Sequence, residues 1–175
     1  MRTDSIRQSA PRIVVMGVSG CGKSAVGAAL GQRLGLPFAD ADGFHSAANI
    51  AKMTGGTPLT DTDRWPWLDA IGQWLGEHDS GAVVACSALR LTYRDRIRTH
   101  CPGAYFVHLA GPIALAVRRV GARDDHFMPP TLVQSQYDTL EALSDDEPGT
   151  TISFDQPSDA VLKELHVAIS GRARP

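Results

Sequence analysis

Long apolar runs are missing from this sequence. No stretch of its 175 residues approaches the roughly 20 consecutive apolar residues that cross a bilayer, so no membrane partner is expected. The opening residues, MRTDSIRQSAPR, are polar and carry no secretory signal, and a flexible leader over residues 1–11 is expected. Cysteine is scarce. Cys21, Cys86 and Cys101 are odd in number and form no CxxC pair. That argues against a disulfide framework or a zinc site and fits reduced thiols in a cytoplasmic protein. An excess of one charge is missing too. The 17 Lys+Arg and 19 Asp+Glu leave a net charge of -2, with no block of like charge. A nucleic-acid surface wants a basic stripe, so no nucleic-acid partner is expected. Internal repeats, low-complexity segments and linkers are absent as well, and residues 12–175 read as one domain.

What is present is an alternation. Short apolar runs at 13–17, 36–40, 82–87, 104–110 and 150–155 read as strands. Between them lie helical patterns: 23–35, closed by Gly35; 45–53, with Ser46 as N-cap; a loop and helix within 57–79, striped by Leu68, Ile71 and Leu75; 89–100; 112–123, opened by Pro112; and 130–143. A last amphipathic helix covers 158–170. Strands alternating with helices predict an α/β fold in which a five-stranded parallel sheet is covered on both faces.

The segment GVSGCGKS, Gly17 to Ser24, satisfies G-x-x-x-x-G-K-[ST] with a strand before it and a helix after it. Glycines let the backbone curl so that N–H groups face phosphate oxygens, and the helix offers its positive end. Gly17, Val18, Ser19, Gly20, Cys21, Gly22, Lys23, Ser24 and Ala25 are therefore the expected nucleotide-binding set. Lys23 reaches the β- and γ-phosphates, and the Ser24 hydroxyl is a Mg²⁺ ligand. Cys21 reads as a small filler side chain.

Downstream, DADG (40–43) fits D-x-x-G, a GTPase switch pattern, but no guanine-reading N-K-x-D follows. The lysines beyond the loop lie only in AKMTG and LKELH. A small-molecule kinase makes better use of the same residues. Asp40, at a strand end, would serve the metal. Asp42, one pleat further out, would orient or deprotonate an acceptor hydroxyl. Arg118, Arg119 and Arg123 precede DDHFMPP; Arg119 and Arg123, four apart on one helix face, are expected to neutralise charge during transfer.

The segments GVSGCGKSAVG, FADADGFHSAANIAKMTGGTPLTDTDRWPWL, CSALRLTYRDRIR and RDDHFMPPTLVQSQYDTLE together resemble the bacterial gluconokinases of the small P-loop type, relatives of shikimate and adenylate kinases. The resemblance implies a three-layer α/β/α P-loop kinase core, a mobile lid at about 119–130 and a homodimer. It implies ATP and Mg²⁺ as cofactors, and transfer of the γ-phosphoryl group to the 6-hydroxyl of D-gluconate. Another small hydroxy acid such as shikimate, or a nucleotide-dependent switch, is the alternative. A site for a linear, hydroxyl-rich carboxylate needs a cation and several polar groups. The candidates are His45, Asn49 and Lys52 on the short helix, Asp61 and Arg64 in the TDTDRW loop, and Arg94 and Arg98, four apart on one helix face. Which arginine takes the carboxylate is open. FDQP (154–157) resembles the base-side loop of related kinases. Ala41 and Ser46 stand where the family pattern usually has glycine and proline, and Asp124 and Asp125 where it often has lysine and glycine. The last two are expected to face solvent.

Overall fold

The computed structural model describes residues 10–123 and 129–172. Most of the expected leader, part of the expected lid, and Asp124 and Asp125 lie outside the described residues. Five strands, β1 (Arg12–Met16), β2 (Phe38–Asp40), β3 (Ala82–Ala85), β4 (Ala104–Ala110) and β5 (Gly149–Ser153), form one parallel sheet in the order β2-β3-β1-β4-β5. The helices are α1 (Lys23–Leu34), α2 (Ala47–Thr54), α3 (Asp61–Glu77), α4 (Leu91–His100), α5 (Ile113–Gly121), α6 (Pro130–Thr139) and α7 (Ser158–Gly171).

The central strand explains the layers. Successive side chains of a strand point to opposite faces, and a sheet covered on both sides needs apolar residues at every position. In β1, Ile13 and Val15 join the cluster holding Val26 and Leu30 of α1 and Val161 and Leu165 of α7. Val14 and Met16 join the opposite cluster, with Leu68, Ile71 and Leu75 of α3 and Ile97 of α4. The expected three-layer α/β/α core is present, and the stripe of α3 is the one its spacing predicts.

Local chemistry moves some expected boundaries. Strand β2 starts only at Phe38, and it ends at Asp40 because the Asp40 side chain accepts the Asp42 N–H at 3.0 Å and caps a 3₁₀ turn over Ala41–Phe44. Asp42 therefore sits in that turn and not one pleat further along a strand. Helix α3 begins at Asp61, so Asp61 and Arg64 are helical rather than in a loop. Thr60 and Asp63 form a reciprocal capping box there, which satisfies orphan N–H groups of the first turn. Helix α5 ends at Gly121, so Arg119 is helical while Arg123 lies beyond it. Helix α6 stops at Thr139, and Glu141 N–H turns to the Leu89 carbonyl at 2.8 Å. As expected, Ser46 caps α2, accepting the Asn49 N–H at 3.1 Å, which leaves His45 ahead of the helix, at the end of the 3₁₀ turn, and not on it.

Strand order reverses around β1, whose neighbours are β3 and β4. In open parallel sheets the crevice beyond the strand C-termini at such a reversal is where ligands bind. The loop after β1, the Asp40 turn and the β3–α4 connection all leave the sheet at that end.

Candidate active site

The phosphate loop is built as its glycines require. Gly20 has φ 85°, and a Cβ there would lie 2.4 Å from the Ala116 carbonyl oxygen of α5, so only glycine lets the loop press against that helix. Gly22, at φ 93°, is the N-cap of α1 and brings no side chain to its orphan N–H groups. These amides are left for an anion, which the helix end favours. Lys23 Nζ donates to the Val18 carbonyl at 3.1 Å, folded back along the loop. Cys21 is 1% exposed, and burial pushes its thiol pKa up, in keeping with a packing role.

Ser24 and Asp40 are brought together. Ser24 Oγ donates to Asp40 Oδ2 at 2.5 Å, while Asp40 Oδ1 holds the turn that carries Asp42. The two expected metal ligands are thus hard oxygen donors at one point beside the phosphate loop. Among the described residues no three His, Cys, Asp or Glu side chains converge to cage a metal. This donor set suits Mg²⁺, which keeps several waters and takes a carboxylate plus phosphate oxygens. The set fits that ion and does not fit a closed zinc site.

Asp42 is exposed, at the start of the turn. Its charge acts on His45, whose pKa is nevertheless lowered, chiefly by burial. The His45 ring stacks on Trp67 with centroids 4.4 Å apart, and Trp67 Nε1 donates to the Ala41 carbonyl at 2.7 Å. Helix α3 thereby fixes the Asp42 turn from below. Asn49 is buried, and its Nδ2 donates to the Asp63 carbonyl at 2.9 Å. Lys52 pairs with Asp63 Oδ1 at 2.7 Å. The Lys52 hydrogen bond leads the interactions that hold the Asp63 carboxyl at about 2. Asn49 and Lys52 thus bind α2 to α3 in this structure.

A second cluster gathers at the first turns of α3 and α4. Asp61 Oδ1 accepts from Tyr93 Oη at 2.6 Å and from Arg64 Nη1 at 3.4 Å, and Asp61 Oδ2 accepts from Arg90 Nη1 at 3.3 Å. Both guanidinium groups lie against the Tyr93 ring, at 5.6 and 5.7 Å from its centroid. The Tyr93 hydrogen bond, followed by the two arginine charges, lowers the Asp61 pKa. Two arginines and a phenol hold one carboxylate, which is the equipment an acidic substrate needs. Arg90 and Tyr93 were not anticipated. Both stand in CSALRLTYRDRIR, where spacing alone favoured Arg94 and Arg98.

Those two require correction. Arg94 is fully buried; Nε and Nη2 bind Glu147 at 2.7 and 2.8 Å, and Nη1 donates to the Ala88 carbonyl at 3.0 Å. Arg98 pairs with Asp95 and Glu147 and lies 4.7 Å from the Phe106 ring centroid. Burial raises the Glu147 pKa, but the Arg94 and Arg98 hydrogen bonds outweigh it and hold the carboxyl at about 2. Every nitrogen of the Arg94 guanidinium is thus engaged, and Arg98 spends both terminal nitrogens on Asp95 and Glu147, because the face of α4 that carries them packs against Glu147. Ala88, which this cluster braces, has φ 43° and is a non-glycine residue in the left-handed region, at the turn that leaves β3 for the cleft.

Arg119 Nη2 donates to the Phe154 carbonyl at 3.1 Å and lies 5.3 Å from the Phe154 ring centroid, so it touches FDQP at its first residue. Arg123 is exposed and does not share a helix with Arg119. Gln136 of α6 was also not anticipated: its Oε1 accepts the Ser19 backbone N–H at 2.6 Å.

The shikimate kinase family profile matches residues 19–147. A gluconokinase of Gluconobacter oxydans (strain 621H) is 44% identical over 156 residues, covering 87% of this chain and 88% of its own length. The crystal structure of a gluconokinase from Sinorhizobium meliloti 1021 superposes with a TM-score of 0.86 at 42% identity, covering 95% of each chain. A shikimate kinase from Aquifex aeolicus vf5 superposes with a TM-score of 0.60 at 17% identity, covering 93% of this chain and 98% of its own, a likeness of fold alone. With its phosphate loop, its paired aspartates and these matches, the chain belongs to the shikimate kinase family and, within it, to the gluconokinases.

Proposed function

We propose that this chain transfers the γ-phosphoryl group of ATP to the 6-hydroxyl of D-gluconate, giving 6-phospho-D-gluconate and ADP. The observation that carries the proposal is the link from Ser24 through Asp40 to the Asp42 turn, which joins the phosphate loop to an exposed carboxylate. Lys23 and the uncapped amides of α1 bind the phosphates. Ser24 and Asp40 would hold Mg²⁺, which neutralises phosphate charge when bound. Asp42 accepts the proton of the 6-hydroxyl as its oxygen bonds to the γ-phosphorus. The bond from that phosphorus to the β-bridging oxygen breaks, and the electron pair leaves with ADP. Arg119 and Arg123, in the region expected to cover the nucleotide, offset charge on the transferring group. Most of the acceleration is then positioning and preorganised charge.

Arg64 and Arg90 are the proposed cations for the gluconate carboxylate, and both pair with Asp61 in this structure. His45 supports the Asp42 turn from its stack on Trp67. The proposal extends to a cytoplasmic homodimer. The free, buried thiols of Cys21, Cys86 and Cys101 accord with a reducing compartment, and gel filtration tests the dimer.

A coupled assay with ATP and Mg²⁺ across gluconate, shikimate and nucleoside monophosphates tests the substrate. Gluconate alone should turn over well; turnover of another acceptor without gluconate would overturn the assignment. Asp42→Asn should lower kcat by about two orders of magnitude or more while ATP still binds, the size expected for losing a general base. Near-normal turnover would remove Asp42 from that role.

A further inference from the structure

The Ser19 N–H belongs to the phosphate loop, yet here a side chain 117 residues away in sequence holds it. Gln136 Oε1 accepts that N–H at 2.6 Å. The amide donor fixes which end of the carboxamide points inward: the oxygen faces Ser19, so Nε2 is the end turned away. The helix that carries Gln136 is well anchored beside the loop. Val133 of α6 is fully buried, and Tyr137 Oη donates to the Gly111 carbonyl, just past β4, at 2.8 Å. Gln136 itself is only half-buried, so its side chain can turn while α6 stays in place.

The geometry points to Gln136 as a ligand of the terminal phosphate that reports which nucleotide occupies the loop. Its carboxamide oxygen occupies on Ser19 the position of a phosphate oxygen. A triphosphate that claims the Ser19 N–H displaces that oxygen. Rotation about the last side-chain torsion then presents Nε2, a donor, to the γ-phosphate. A carboxamide can take both parts, acceptor to a loop amide and donor to a phosphate, whereas a carboxylate can only accept. On this inference Ser19, which precedes the first turn of α1 opened by Lys23 and Ser24, meets the terminal phosphate together with Lys23. The contact therefore distinguishes ATP from ADP. This inference rests on the chain being an ATP-dependent kinase but not on the identity of its acceptor.

Calorimetric titrations with Mg²⁺ and either ADP or a non-hydrolysable ATP analogue, without acceptor, test it on the full chain. Gln136→Glu keeps an oxygen for Ser19, cannot donate, and repels the γ-phosphate; it should weaken the triphosphate by about tenfold or more and ADP by less than about threefold. Gln136→Ala should weaken the triphosphate by roughly three- to tenfold, leave ADP near wild type and lower kcat. Equal weakening of both nucleotides would make Gln136 a plain tether and overturn the inference, as would wild-type binding of both. If Gln136→Ala does not fold, the isosteric Gln136→Glu decides alone. Loss of gluconate turnover with intact ATP–ADP discrimination would count against the proposed acceptor and not against Gln136.

Discussion

Two clusters in this molecule have the same formula, two arginines on one carboxylate, and opposite uses. Around Glu147, Arg94 is fully buried and every nitrogen of its guanidinium is bonded to the carboxylate or to backbone carbonyls. Around Asp61, the side chains of Arg64 and Arg90 are 32% and 45% exposed, and their contacts are longer, at 3.4 and 3.3 Å. One segment at α4 supplies members of both: Arg90 and Tyr93 turn to Asp61, and Arg94 and Arg98 turn to Glu147. A buried guanidinium that is fully bonded cannot be offered to a ligand, because releasing it leaves an unpaired charge in the interior. A half-exposed one exchanges a weak internal partner for a substrate carboxylate at small cost, since exposed ion pairs contribute little.

The largest expected effect lies in the interior cluster. Arg94→Ala strips the buried Glu147 carboxylate of two of its hydrogen bonds, leaving it only Arg98 and the Ser144 N–H, and frees the Ala88 and Ala142 carbonyls, so urea unfolding should show a loss of about 3–5 kcal/mol. A loss below about 1 kcal/mol, the size of a surface pair, would erase the distinction between the clusters. Next come Arg64→Ala and Arg90→Ala. Each should raise KM for gluconate by about tenfold or more, the size of a charge-assisted hydrogen bond, with KM for ATP and the unfolding midpoint near wild type. If KM for ATP rose equally, the cleft cluster would not be an acceptor clamp. A third effect, confined to low pH, is on acid stability. Glu147 is held at about 2 against an ordinary value of 4.5, so the unfolded chain takes up its proton first as pH falls. The stability it contributes is present above pH 4.5 and is lost between there and pH 2. In Glu147→Gln the acid limb of a stability–pH curve should flatten in that window. Asp61, whose pKa the Tyr93 hydrogen bond lowers first, has the same sign but sits in screened surroundings, so Asp61→Asn should alter that limb much less.

The parts that were legible in the sequence are those fixed by near neighbours. The phosphate loop declares itself because each residue from Gly17 to Ser24 answers a local demand, a tight turn, a close approach or a helix end. The sheet is legible because apolar runs such as Ile13–Met16 feed both faces. The arginines of α4 were not. A spacing of four places Arg94 and Arg98 on one face, but only packing against Glu147 decides that the face is the inner one. The Asp42 turn was misread for a related reason: alternation along a strand stops applying once the Asp40 side chain caps its own backbone two residues on. Gln136 left no local signal at all, because its partner lies across the fold.

The stack of His45 on Trp67 has an optical consequence. Indole emission responds to what lies against the ring, and this indole lies 4.4 Å from an imidazole whose neighbour is the proposed catalytic carboxylate. Trp65 sits edge-on to Tyr93 at 5.8 Å, beside the Asp61 cluster, while Trp74 lies near His78 at the far end of α3. Two of the three tryptophans thus flank the place where gluconate is proposed to bind. The protein carries its own fluorophores for that event, so occupancy of the acceptor site should be readable as a change in emission, without a label and without turnover.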